Sequence, residues 1–159
     1  MTISVAAANR AVKAQTKISP KQHVAAIAAA AAAFLVGPLW YSPLLFGNEW
    51  MRIRAIDTIV VRAPSVLELI GELLRILIVS YTFSSLIIRL RVVHWTGVVA
   101  LGVQLWLGFQ AMAILGGVLH EGYPLQLYLI HSGHALAYML LMSVILGVWL
   151  CQGTKQTRS

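Results

Sequence analysis

Six residues of this chain combine side chains able to do chemistry with a spacing that brings them together: Glu72, Arg75, Gln110, His131, His134 and Tyr138. Glu72 and Arg75 are three positions apart, and His131, His134 and Tyr138 follow at three and four, so on helices each set shares one face. All six lie inside long apolar runs. Three chemistries are open to them. As interhelical adhesion, Arg75 neutralises Glu72 while the imidazoles hydrogen-bond Gln110 or backbone, at about 0.6 kcal/mol per contact. As a pathway, the same groups hold a small solute or relay protons, because histidine titrates near neutral pH and intramembrane charges mark function. As a metal site, His131, His134 and Glu72 supply nitrogen and oxygen ligands for zinc or iron. Against the metal stand the lack of a second Glu-x-x-His, which four-helix carboxylate sites use, and the repulsion of a cation by Arg75. No phosphate loop or dinucleotide fingerprint occurs, so no catalytic residue is assigned and no cofactor is expected.

The elements that must position these groups are membrane helices. Of 159 residues 59% are hydrophobic and 11% charged, a balance outside that of soluble globules. Crossing a hydrocarbon core takes about 20 apolar residues as a helix. Charge-poor runs of that kind cover 23–39, 66–88, 93–119 and 124–150. The expected fold is therefore all-α, a four-transmembrane-helix bundle over 22–150, with a basic flank at 1–21 and a tail at 151–159. Residues outside the spans are too few for a separate soluble domain, which excludes many enzyme architectures.

The spans differ in character. The first is rich in alanine (Ala25, Ala26, Ala28 to Ala33), weakly hydrophobic and only about 25 Å long, so it must lean on its neighbours through close backbone contact. Pro38 should kink or end it. Beyond it, Gly37, Trp40, Tyr41, Ser42, Pro43, Phe46, Gly47 and Trp50 form an aromatic and proline segment expected at the membrane interface. Residues 51–64 mix arginines with branched apolar residues and suit an interfacial segment or a loop over the bundle. Ser65 and Glu68 have the spacing of a capping box that opens the second span. Glycines 97, 102, 108, 116 and 117 in the third span indicate tight helix contacts.

Counted at about 1.5 Å per residue from the outer ends of their spans, Glu72, Arg75, Gln110, His131 and His134 fall roughly 9 to 15 Å deep. One buried polar layer is the expectation, because each ionisable group costs about 2.5–3.5 kcal/mol to insert and must find a partner. The count holds for either orientation of the chain.

Placing both termini in the cytoplasm puts Arg10, Lys13, Lys17, Lys21, Arg89, Arg91, Lys155 and Arg158 inside and Arg52, Arg54 and Arg62 outside, the sign that insertion favours. The net charge of +7 is thereby explained without nucleic acid, since no basic patch with interleaved aromatics is present. A plasma or cell inner membrane is expected. The basic, acid-free first 21 residues also have the composition of a mitochondrial presequence, which leaves a mitochondrial membrane as the alternative. Cys151 is the single cysteine; its place past the fourth span allows palmitoylation, though an ordinary small residue at a helix end is the plainer account.

The segment Gly37, Trp40-Tyr41-Ser42-Pro43, Leu45-Phe46-Gly47 and Trp50-Met51, following an apolar helix, resembles a family of small membrane proteins known as domain of unknown function 1761. The resemblance runs over about 23–150, with Glu121-Gly122 in a short turn and a last span ending near Trp149. It implies the four-helix architecture and carries no activity with it. The expected role is structural or accessory, with a small-solute or proton carrier as the alternative. The expected partners are the lipid bilayer and a larger membrane complex or further copies of the chain, for which Ser80 with Ser84 and Gly133 with Ala137 offer small-residue faces.

Overall fold

A computed structural model describes residues 19–54 and 64–151. The basic flank before Ser19, the middle of the 51–64 segment and the tail after Cys151 lie outside the described residues.

Helix α1, Pro20–Trp40, begins where Ser19 accepts a hydrogen bond from the Gln22 backbone N–H and Pro20 sits at a position that needs no donor. Pro38 does not break it; the helix runs two residues further and ends in its last turn. The short helix α2 is Gly47–Ile53. Helix α3, Val66–Arg89, opens on the expected capping box: Ser65 N–H donates to Glu68 Oε2 at 2.6 Å and Glu68 N–H to Ser65 Oγ at 3.3 Å. The third run is not one uniform helix. It comprises α4, Trp95–Leu105, a π-helical turn, Trp106–Ala111, and α5, Met112–Glu121. Helix α6, Leu125–Cys151, completes the fold.

Helices α1 and α6 make the central pair, α3 packs on α1, α4 packs on α6, and Phe83 of α3 reaches Gly102 of α4. Alanine makes the centre possible. Ala25, Ala26, Ala29, Ala30 and Ala33 are fully buried, so α3 and α6 approach the α1 backbone closely and gain dispersion contacts that bulkier side chains would prevent. On the α3 side, Ser80 Oγ donates to the Ala26 carbonyl at 2.8 Å and Gln22 Nε2 to Ser84 Oγ at 3.3 Å. Ser80 and Ser84 are thus buried against α1, and a Cβ on Gly133 would lie 3.0 Å from the Trp40 ring. On the α6 side, a Cβ on Gly102 would lie 2.1 Å from Ser143 Oγ and 3.3 Å from the Phe83 ring, which makes glycine the residue that lets α4, α6 and α3 meet there. At the same end the Cys151 thiol donates to the Val92 carbonyl at 3.5 Å.

Pro20–Trp40, Trp95–Glu121 and Leu125–Cys151 are each long and apolar enough to cross a membrane. The expected fourth span does not stand with them. At 24 residues α3 is long enough, but Glu68, Glu72, Arg75 and Arg89 interrupt its apolar character.

Candidate functional site

The site is built on the knuckle between α1 and α2. Tyr41 caps α1, donating its backbone N–H to the Gly37 carbonyl at 3.0 Å, and the chain then doubles back so that Phe46 N–H reaches the Trp40 carbonyl at 3.1 Å and Gly47 N–H reaches Ser42 at 3.0 Å. Ser42 Oγ ties the turn by donating to the Leu39 carbonyl at 2.7 Å. Gly47 is required by space: a Cβ there would stand 2.3 Å from the Tyr41 carbonyl oxygen and 2.7 Å from Ser42 backbone. The knuckle aims its aromatics inward. Trp40 Nε1 donates to the Ile130 carbonyl at 3.0 Å, Trp40 packs on Phe46 with ring centres 4.6 Å apart, and Tyr41 meets Trp50 edge to face at 5.6 Å. Of the residues expected as an interfacial belt, Trp40 and Tyr41 bond to α6, while Phe46 stays exposed. Beside it Arg52 and Glu49 form an ion pair on α2 that holds the Glu49 carboxyl below the ordinary carboxylate range.

From the knuckle a chain of polar contacts crosses the bundle. The Tyr41 hydroxyl and His131 Nδ1 are 2.7 Å apart. His134, one turn along α6, is ringed by Tyr41, Tyr138 and Trp40 at centroid distances of 5.1, 5.4 and 6.1 Å. Its Nε2 is buried without a hydrogen-bond partner beside Gly37. Tyr138 donates to Gln110 Oε1 at 2.6 Å, and the Arg75 guanidinium lies over the Tyr138 ring at 5.6 Å. Arg75 in turn donates to both oxygens of Glu72, at 2.8 and 2.5 Å. All six residues singled out in the sequence, Glu72, Arg75, Gln110, His131, His134 and Tyr138, are thus linked by contacts, with Tyr41 as a seventh member.

The layer is not sealed as expected. The Glu72 and Arg75 side chains keep 41% and 46% of their surface exposed, because α3 touches α1 and leaves its other flank open. Two cavities flank the layer. One, of about 510 Å³, is lined by Tyr41, Arg75, Gln110, His131, His134 and Tyr138 and extends to Tyr128 and to Glu121 and Tyr123 at the α5–α6 turn. There a hydrogen bond to Glu121 holds the Tyr123 phenol above its ordinary range. The other, of about 630 Å³, lies between α1 and α3 and is lined by Phe34, Gly37, Pro38, Leu69 and Glu72. Tyr41, Arg75 and His134 border both and form the partition. Glu72 lines only the second.

Gln110 sits within the π turn. A π turn inserts an extra residue and rotates the helix downstream of it. In this one Trp106 Nε1 donates to the Ser132 carbonyl at 2.9 Å while Gln110, four residues on, still receives the Tyr138 hydroxyl. The metal arrangement is not formed: among the described residues no group of three His, Cys, Asp or Glu side chains is placed to hold an ion, and Glu72 is engaged by Arg75. Sequence reasoning placed Tyr41 in the interfacial motif and missed it as a site residue. The signal available was the Pro38 and Gly47 punctuation, which marks a chain reversal at the depth of the histidines.

No curated protein and no solved structure matches the chain. A family model described as "Protein of unknown function (DUF1761)" matches residues 24–147, a stretch that contains most of α1, the knuckle, the π turn and every member of the polar layer. The match covers most of the chain, and the protein belongs to the DUF1761 family.

Proposed function

We propose that this protein is a four-span membrane protein that binds a small organic molecule in the cavity between the knuckle, α3 and the α5–α6 turn. The observation that carries the reading is the cavity of about 510 Å³ on which the polar side chains converge. Residues serving adhesion alone would close on one another, since an unfilled volume forfeits contacts on every side. A volume within the usual range for ligand sites, apolar in part and supplied with a few convergent polar groups, has the form of a binding pocket.

The fourth span follows from pairing. Gln22 meets Ser84, the Ala26 carbonyl meets Ser80, and Tyr41 lies near Glu72 and Arg75, so α3 runs antiparallel to α1 along its whole length. If α1 crosses the membrane, α3 crosses beside it, with its charges satisfied by the Glu72–Arg75 pair. The positive-inside distribution then orients both termini to the cytoplasm.

The test is mass spectrometry of small molecules released from the protein purified in native lipid, comparing wild type with Ala113→Phe. Ala113 lines the cavity, and the larger ring fills it without removing a hydrogen bond of the layer. The expected result is a stoichiometric small molecule released by wild type and absent from the folded variant. Equal release from both would remove the cavity as its site, and the adhesive reading would take its place.

A further inference from the structure

The donors and charges around that cavity define a ligand class. Its walls are aromatic: Tyr41, His134 and Tyr138 pack against one another, with His131 beside Tyr41 at 5.9 Å. Rings that meet edge to face leave flat surfaces on which a planar molecule stacks. The polar groups facing it are mainly donors. Gln110 uses Oε1 to accept from Tyr138, which leaves both amide hydrogens of its Nε2. Arg75 uses Nε and Nη2 on Glu72 and engages Tyr138 as well. The Tyr41 hydroxyl and Nδ1 of His131 share one hydrogen bond, whose donor follows from the imidazole tautomer.

Charge decides the rest. A cation finds the face of Tyr138, which an aromatic cage would offer, already taken by the Arg75 guanidinium. An anion gains little from Arg75, whose charge is matched by Glu72, and meets a second carboxylate, Glu121, at the mouth. What fits is uncharged, flat and rich in acceptors.

We infer that the cavity takes a neutral planar carbonyl compound of the quinone type, with one carbonyl oxygen accepting from Gln110 and the ring held against Tyr41, His134 and Tyr138. The inference rests on the cavity being a binding site. Such a ligand dissolves in the bilayer, and a cavity bounded by membrane helices admits it without an aqueous entrance.

The experiment uses the whole chain in lipid nanodiscs and three probes of similar size: duroquinone, which is neutral, benzoate, which is anionic, and benzamidine, which is cationic. The readout is a saturable rise in the thermal unfolding midpoint, since a ligand that binds the folded state stabilises it. Duroquinone alone is expected to saturate, with affinity lowered about tenfold by Gln110→Leu, the size expected for one buried hydrogen bond. Ala113→Phe, which leaves that bond intact, is expected to abolish the response in a protein of unchanged circular dichroism. Saturation by benzoate or benzamidine and not by duroquinone, lost in Ala113→Phe, would overturn the ligand class and keep the binding site. Duroquinone binding that is indifferent to both substitutions would place it elsewhere in the bilayer or protein and overturn the inference. No saturation by any probe would also overturn the class, and a small molecule released by wild type alone would still uphold the site.

Discussion

Tyr41 and His131 come from opposite ends of the sequence and meet at 2.7 Å, while Gly47 holds the turn that brings Tyr41 there. The two residues make separable predictions. Gly47→Ala places a methyl 2.3 Å from a backbone oxygen that has no rotamer to yield, so the knuckle must shift. A loss of about 1–3 kcal/mol is expected, as for other overpacked sites, measured as reversible unfolding in mixed micelles; an unchanged midpoint would show that the turn relaxes freely. Tyr41→Phe and His131→Leu should each cost less. Their double-mutant cycle is expected to return a coupling of about 0.6 kcal/mol and no more than about 1.7, the span seen for hydrogen bonds between membrane helices. A coupling of zero would show the bond to be idle. His134 belongs to the same scale: its partnerless Nε2 is a position the fold leaves unsatisfied, as functional sites often do and purely structural ones seldom do.

At the scale of elements, α1 is the helix whose composition misleads. Its alanines bury little surface each, yet five of them are fully enclosed, and the helix contacts both α3 and α6. The gain comes from backbone proximity rather than side-chain bulk. Ala29→Leu or Ala30→Leu should therefore destabilise the protein by about 1–3 kcal/mol although each raises hydrophobicity, while the same exchange at exposed Ala31 should be neutral. Equal effects at buried and exposed positions would mean that α1 does not pack through its alanine face. The π turn is the second telling element. Trp106 and Gln110, four residues apart and so on one helical face, bracket that turn and both bond to α6.

For the whole molecule the decisive property is the number of crossings. In a Cys151→Ser background, single substitutions Ser19→Cys, Asn48→Cys, His94→Cys and His120→Cys place one thiol at each exposed end of the helices. Four spans predict that an impermeant maleimide labels 19 and 94 from one side and 48 and 120 from the other. With α3 outside the bilayer core, 48 and 94 would label from the same side, and the antiparallel pairing of α1 with α3 would have to form at the surface. Between α3 and α5 lies a flank at which Arg75, Ala113 and Gly117 line the cavity. The polar layer opens on that flank, so occupancy of the cavity and closure of the flank are expected to be coupled.

The sequence by itself determined the helical class, the apolar runs, the capping box at Ser65 and Glu68, and the family, because each depends on local composition or on spacing along one helix. It also determined that the polar residues share a depth, since rise per residue converts position into height. It could not determine their company. That Ser80 and Ser84 face α1, that Tyr41 turns inward to His131, that Pro38 leaves its helix intact, and that Arg75 stands between two cavities all depend on how helices rotate and cross. Rotation is set by the close fit of alanine and glycine surfaces and by a π turn, and the shapes of those surfaces emerge only when the helices are brought together.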